Sequence, residues 1–215
     1  MPPRSRPSLV NNPVQTRSRA THEAIVRAFR QQLATTPFDQ INMADLARRA
    51  DVSVGGLYAR FSGKDALLLI VADEILDEAR AAIDEALQQV EARDGSLADL
   101  CEAYVRTTVG EFRRHRRALQ QVQRGARGDG AAALAERVRE LNEFVHERFR
   151  TLGWARRGEI RRRGQRAAIE IGLFIASAAA REAILAENWA TYDVTPDDAT
   201  LIREITASLV SYLTT

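Results

Sequence analysis

The chain has 215 residues, 45% hydrophobic and 28% charged, and its 31 Lys and Arg against 29 Asp and Glu leave a formal net charge of only +2. This is the composition of a soluble globular protein, long enough to bury a substantial core. A lone cysteine, Cys101, excludes a disulfide framework and a cysteine-rich zinc site and fits a reducing cytoplasm, while no stretch reaches the roughly 18 apolar residues of a membrane span.

The overall charge balance hides an asymmetry. Residues 1–65 hold ten basic and five acidic side chains, a net of +5, whereas residues 66–215 net −3. One end of the chain is suited to a polyanion and the rest is not. Residues 1–15 read as a disordered basic arm, with four of the six prolines, Arg4 and Arg6, and none of the apolar stretch of a signal peptide. Between Pro37 and Pro196 lie 158 residues without proline, rich in Ala, Leu, Glu, Arg and Gln, which favour helix. No segment alternates apolar and polar residues for long enough to make a sheet. The expectation is an all-α fold.

The first helix brings His22, Ile25, Phe29 and Leu33 onto one face. Two short apolar patterns then share residues 43–61, with a break at Ala50-Asp51-Val52. Leu46, Ala47 and Ala50 face Val52 and Leu57 across it. The small Ala47 lets two helices cross steeply, Asp51 tolerates the left-handed conformation of a turn, and Ser53 can cap the second helix. This is the anatomy of a helix-turn-helix, whose second helix enters a DNA major groove. Ser62-Gly63-Lys64-Asp65 then opens a helix with a cation in its first turn, where the helix dipole disfavours it. An anion docked there meets backbone N–H groups, dipole and ammonium at once. Lys64, the only lysine beside thirty arginines, is therefore assigned to a phosphate, with Tyr58 and Arg60 close by.

From about residue 16 to residue 67 the sequence resembles the DNA-binding domain of the TetR (tetracycline-repressor-like) family of bacterial transcription regulators. Phe38, Asp45-Leu46-Ala47, Ala50, Val52-Ser53, Gly55, Leu57-Tyr58, Phe61, Lys64 and Ala66-Leu67 carry the resemblance, over about a quarter of the chain. It implies a three-helix DNA-binding domain over residues 16–63 and a larger helical domain over 64–215 that dimerises and binds a small effector, about nine helices in all. It places the recognition helix at residues 54–61. It also implies phosphate contacts for Asn42, Ser53, Tyr58 and Lys64, with Val54, Gly55 and Gly56 nearest the base edges and Arg60 alongside. Asp51 stands where the family usually has glycine, Gly56 where it has Thr or Ser, and Arg60 where His or Tyr is frequent. With valine and two glycines leading, direct readout is sparse, so Arg4, Arg6, Arg17 and Arg19 are expected to assist, either by reaching into an adjacent minor groove, as basic arms can, or by adding sequence-independent affinity alone.

Further apolar stripes follow: Leu68, Val71, Ile75, Ala79, Ala82, Ala86, Val90; Leu97, Cys101, Tyr104, Thr108, Phe112; Leu134, Val138, Leu141, Val145; and Ile202, Ile205, Leu209, Leu213. Helix starts are signalled by Ser62 with Asp65, Ser96 with Asp99, and Pro196-Asp197-Asp198, and glycines at 125, 128, 130, 153, 158 and 164 punctuate the rest. Residues 167–180 are apolar nearly all round, with Glu170 the one charge, so this helix must be covered on more than one face. Ala176, Ser177, Ala179 and Ala180 permit close approach, and by the resemblance this helix and the last one (196–213, with Ile205 and Leu209) form a four-helix bundle with a second copy. Tyr104, Phe112, Phe144, Phe149 and Phe174 are the candidate lining of an effector pocket. Glu170 is expected to pair with Arg166. The Arg-rich runs at 113–117 and 161–163 read as solvated helix ends.

Nothing asks for catalysis, a metal or a cofactor. His22, His115 and His146 have no metal-ligand spacing, and no nucleophile elbow or phosphate-binding glycine loop is present. The expected function is a cytoplasmic, homodimeric, ligand-responsive DNA-binding regulator, most simply a repressor on a palindromic operator released by a small molecule. The alternative is a helical small-molecule-binding protein or enzyme with vestigial DNA contacts, which the basic excess in residues 1–65 disfavours.

Overall fold

The computed structural model describes residues 13–125, 128–186 and 193–215, with side chains from residue 18 onward apart from 128 and 129. Arg4 and Arg6 of the arm, and the side chain of Arg17, lie outside the described residues. Among the described residues there are eight α-helices and no strand, against the nine or so helices expected. The chain divides into two compact units between Leu68 and Leu69.

The first unit contains α1 (Pro13–Leu33), a 3-10 turn (Phe38–Gln40), α2 (Met43–Arg49), α3 (Val54–Tyr58) and the start of α4 (Lys64–Ala92). Its core is Ile25, Phe29, Leu33, Leu46, Leu57 and Leu67, all essentially without exposure. His22 remains on the surface and lies over Phe61, ring centroids 4.9 Å apart. At the break between α2 and α3, Asp51 takes φ of 55°, which an aspartate accepts because its short polar side chain can bond locally. Val52 N then donates to Ala47 O at 2.9 Å. The recognition helix is shorter than the sequence suggests. It closes at Ala59, where Arg60 N and Phe61 N both turn back onto Leu57 O, so Arg60 and Phe61 sit beyond its end.

The second unit contains the rest of α4, α5 (Leu97–Gly125), α6 (Gly128–Ala155), α7 (Gln165–Arg181) with a π-helical turn (Glu182–Ala186), and α8 (Asp198–Thr214). α5 packs on α7 and α8, and α7 on α8. The expected caps form where two of them were read. Asp99 Oδ2 accepts from both the amide and the hydroxyl of Ser96 at 2.8 and 2.7 Å, and Asp197 Oδ1 accepts from Thr200 N at 2.7 Å. In α4 the stripe shifts by one position from the expected Ala82 and Ala86 to the buried Ile83 and Leu87, because the larger side chains gain more by leaving water. The Arg-rich run at 113–117 is not a helix end. It lies inside α5, with Arg113 paired to Asp198 and His115 buried.

Gly172 explains how α7 and α8 meet. A Cβ there would lie 2.8 Å from Leu209 Cδ1 and 3.3 Å from Tyr212 Cδ1, so the absence of a side chain sets the spacing of the two helices. Ala176, Ala180 and Leu209, assigned from the sequence to contact with a second copy, are buried within this chain, and Ala176 and Leu209 also line a groove between α7 and α8. What α7 leaves in solvent is Ile171, Phe174 and Ile175, which are 49%, 68% and 50% exposed.

Candidate nucleic-acid interface and ligand cavity

The helix-turn-helix is held by two side-chain caps. Asn42 Oδ1 accepts from Ala44 N at 2.8 Å to start α2, and Ser53 Oγ accepts from Gly56 N at 3.0 Å to start α3. Both caps use an acceptor, leaving the Asn42 amide hydrogens and the Ser53 hydroxyl hydrogen on exposed residues, available to phosphate oxygens. Only Leu57 of α3 is buried, while Val54 and Tyr58 are 43% and 52% exposed. Gly55 has open space where a side chain would be, whereas a Cβ at Gly56 would lie 3.0 Å from Ser53 Oγ. The cap thus occupies the room a larger residue at position 56 would need. α3 offers DNA one apolar side chain, a bare backbone step and a phenol.

Two of the assigned cations are engaged within the chain. Arg60 Nη1 donates to Gly56 O at 2.9 Å, folding the guanidinium back along α3. Lys64 Nζ donates to Phe38 O and Asp39 O, both at 3.2 Å, and lies 4.7 Å from the centroid of the Phe38 ring. The ammonium ties the 3-10 turn to the start of α4 and keeps one donor for an outside anion. A long-range role inside the fold is invisible in a local motif, and sequence reasoning missed it. Arg17 and Arg19 belong to α1 rather than to a loose arm, and Arg19 pairs with Glu23 at 2.9 Å on the surface.

A cavity of about 290 Å³ lies among α4, α5, α6 and α7 of the second unit. α4 and α6 are linked at its edge by ion pairs of Arg137 with Asp73 (2.9 Å) and Asp77 (3.1 Å) and of Arg148 with Asp84 (2.7 Å). Its wall on α5 runs from Tyr104 to Gln123, about 28 Å at 1.5 Å per residue, so the space is long and narrow. Of the aromatics expected to line it, Tyr104, Phe112 and Phe174 do. Phe149 instead fills the core edge-on to Tyr104, centroids 6.1 Å apart, and Phe144 lies beneath the Arg80 guanidinium at 4.1 Å. Neither lines the cavity. The sequence stripe Leu134, Val138, Leu141, Val145 does, and so do Ile75 and Leu119. Of the residues assigned to the interface, Ser177 lines this cavity, while Ala179 and Ile205 border a groove between α7 and α8. Glu170 contacts Arg166 at 3.8 Å, as expected, and Arg150 more closely at 3.3 Å. A wider space of about 640 Å³ along α5 and α8, beside Arg106 and Arg203, opens onto solvent and encloses nothing.

Polar groups in the cavity are few. Burial pushes the Tyr104 phenol up to about 12 against the hydrogen bonds of the Ser177 and Thr108 hydroxyls. Its hydroxyl lies 3.5 Å from Leu173 O. Burial likewise holds the His146 imidazole below its usual range, with Glu170 acting the other way. Glu111 lines the wall one turn beyond Thr108. No group of His, Cys, Asp and Glu able to hold a metal occurs among the described residues, and no helix there is long and apolar enough to cross a membrane.

Residues 25–71 match the family model described as bacterial regulatory proteins, tetR family. No curated protein matches the chain. Its fold is similar to that of the transcriptional regulator FadR from Bacillus subtilis in complex with stearoyl-CoA (15% identity, 89% of this chain and 98% of that one, TM-score 0.69). It is also similar to a TetR-family regulator from Mesorhizobium loti (19%, 92% and 96%, 0.67) and to one from a Rhodococcus species (16%, 92% and 100%, 0.65). The N-terminal domain, with its capped helix-turn-helix and exposed α3, is thus of the DNA-binding type of the tetR family of bacterial regulatory proteins, and the chain as a whole has a fold similar to that of TetR-family regulators.

Proposed function

We propose that the chain is a homodimeric, non-enzymatic repressor of the cytoplasm that binds a palindromic DNA operator and is released by an elongated, largely apolar small molecule. The observation that carries the DNA half is α3 itself, which commits only Leu57 to the core and leaves Val54, Gly55 and Tyr58 for a groove. Asn42, Ser53, Tyr58 and the third donor of Lys64 serve phosphates, Val54 and Gly55 meet base edges, and Gly56 contributes backbone. Arg60 clamps from the end of α3, with Arg17 and Arg19 adding charge from α1. Val54 and the bare Gly55 read sequence by van der Waals contact, including thymine methyl groups, more than by hydrogen bonds.

The effector half rests on the cavity. Its size and sparse polarity suit a small ligand. The FadR neighbour whose structure holds stearoyl-CoA supports a long apolar body. α4 begins in the first unit and lines the cavity in the second. Filling the cavity would thus shift a helix that leads to the recognition unit, moving the two recognition helices of the dimer off successive major grooves, roughly 34–36 Å apart. Ile171, Ile175, Ala179 and Ile205, exposed or half-covered along α7 and α8, are the surface for the twofold partner.

Selection from a random duplex pool at moderate salt tests the first half. A two-half-site palindrome is expected to emerge, bound by the dimer. If no specific duplex can be enriched, the regulator reading fails.

A further inference from the structure

We propose that the cavity recognises its effector by a protonated amine held at Glu111 and Thr108, so that the ligand is an amphiphilic amine rather than a fatty anion. This rests on reading the cavity as the effector site. Tyr104, Thr108, Glu111 and His115 follow one another at four-, three- and four-residue steps along α5, which puts hydroxyls, carboxylate and imidazole on one face. The first three line the cavity. A carboxylate on the buried face of an amphipathic helix is costly unless its oxygens are satisfied.

In this chain Glu111 is only partly satisfied. Its side chain is 15% exposed, and Oε2 is buried without a well-aligned hydrogen bond. The nearest basic side chain to Oε2 is His115, whose Nε2 lies 3.2 Å away and equally 3.2 Å from Glu78 Oε2. One imidazole N–H thus faces two carboxylates and can point its hydrogen at only one of them. Arg114, 3.8 Å from the other oxygen, is two-thirds exposed and weakened by solvent. One turn away, Thr108 Oγ1 is also buried without a well-aligned hydrogen bond, and its contact with the Tyr104 phenol leaves acceptor capacity on the oxygen. An ammonium carries three donors and no acceptor, and these two oxygens are the acceptors it needs.

The same geometry turns away anions. Among the described residues Glu111 is the only carboxylate lining the cavity, and a fatty acid head placed near Thr108 would face it across a largely apolar wall. The other ionisable side chains on the wall do not compensate. His146 is kept neutral near pH 7 by burial, and Arg181 sits in the exposed last turn of α7. An anionic ligand would have to hold its head at that outer end.

Calorimetric titration of the full chain with decylamine, decanol and decanoate, each below self-association, separates the cases. Decylamine is expected to bind about tenfold or more tighter than decanol, the gain of one charge-assisted hydrogen bond, with decanoate weakest. Glu111→Gln should remove the amine's advantage while leaving decanol within about twofold. Thr108→Val, which keeps volume and leaves the carboxylate, should trim that advantage by a few fold. A thermal melt of each variant checks folding. Decanoate binding as tightly as decylamine, or an amine preference that survives Glu111→Gln, overturns the proposal and leaves the apolar cavity reading standing. Failure of all three probes to bind overturns both.

Discussion

Lys64→Met separates what the ammonium does within the fold from what it does for DNA. Methionine keeps an apolar stem beside Phe38 and removes the charge. The protein then loses two hydrogen bonds of 3.2 Å to Phe38 O and Asp39 O and the contact 4.7 Å above the Phe38 ring. Bonds from a charged donor are worth about 1.5–3 kcal/mol each when desolvated. One of these is half-buried and the other exposed, so each is discounted to well under 1 kcal/mol, and the ring contact adds about 0.5 kcal/mol at such a site. The substitution should therefore destabilise the first unit by about 1–2 kcal/mol. Amide hydrogen exchange of residues 38–41 and 64–68 measures it, since a local loss accelerates those amides ahead of the second unit. The third donor is left for a phosphate. The variant should therefore also weaken operator and random duplexes alike and flatten the salt dependence by about 0.9 per subunit. Unchanged exchange would refute the internal role derived from the geometry, and an unchanged salt slope would refute the phosphate contact.

Gly172→Val should lower stability by about 1–3 kcal/mol through overpacking against Leu209 and Tyr212. Leu209→Val should recover part of the loss in the double variant, read from urea midpoints. Asp51→Gly should be neutral or stabilising by up to about 1 kcal/mol, whereas Asp51→Val should cost about 1–2 kcal/mol because a β-branched residue resists φ of 55°. A thermal shift series on the two variants decides this, and equal melting temperatures would argue against the left-handed turn. The Ser96 hydroxyl and amide hold the Asp99 carboxyl below its usual range. The folded state therefore favours the deprotonated acid, and that stabilisation is present above pH about 4 and is lost as pH falls through the lowered value. Asp99→Asn should flatten the acid limb of stability between about pH 5 and 2, and an unchanged limb in urea titrations would show that the cap contributes nothing.

Much of the first unit was legible because its signals are local. A turn that needs a left-handed residue shows Asp51, a helix start shows Asn42 or Ser53, and apolar spacing shows Leu46 and Leu57. Lys64 was legible only as an oddity, a cation where the helix dipole disfavours one. Its carbonyl partners lie 25 and 26 residues earlier, beyond the reach of any motif. In the second unit an apolar stripe looks the same whether it faces a neighbouring helix or an open space. Leu134, Val138 and Leu141 therefore read as core although they line a cavity, while Phe144 and Phe149 read as pocket although they do not. Glu111 carried a usable signal, an acid on the buried side of α5, and it was passed over.

By itself the sequence determined the helical class, the helix-turn-helix with its turn and caps, and the concentration of positive charge at the DNA-binding end. Each of these depends on residues within a few positions of one another, where backbone preference and hydrogen bonding act without the rest of the chain. Tertiary structure decided which small residues of α7 meet α8, where Gly172 leaves no room for a side chain and Ala176 and Ala180 are consumed by the chain's own core. It also decided that four amphipathic helices leave an elongated gap with Glu111 in its wall. These follow from how separated segments fill shared volume, and volume is settled only when the helices are packed together.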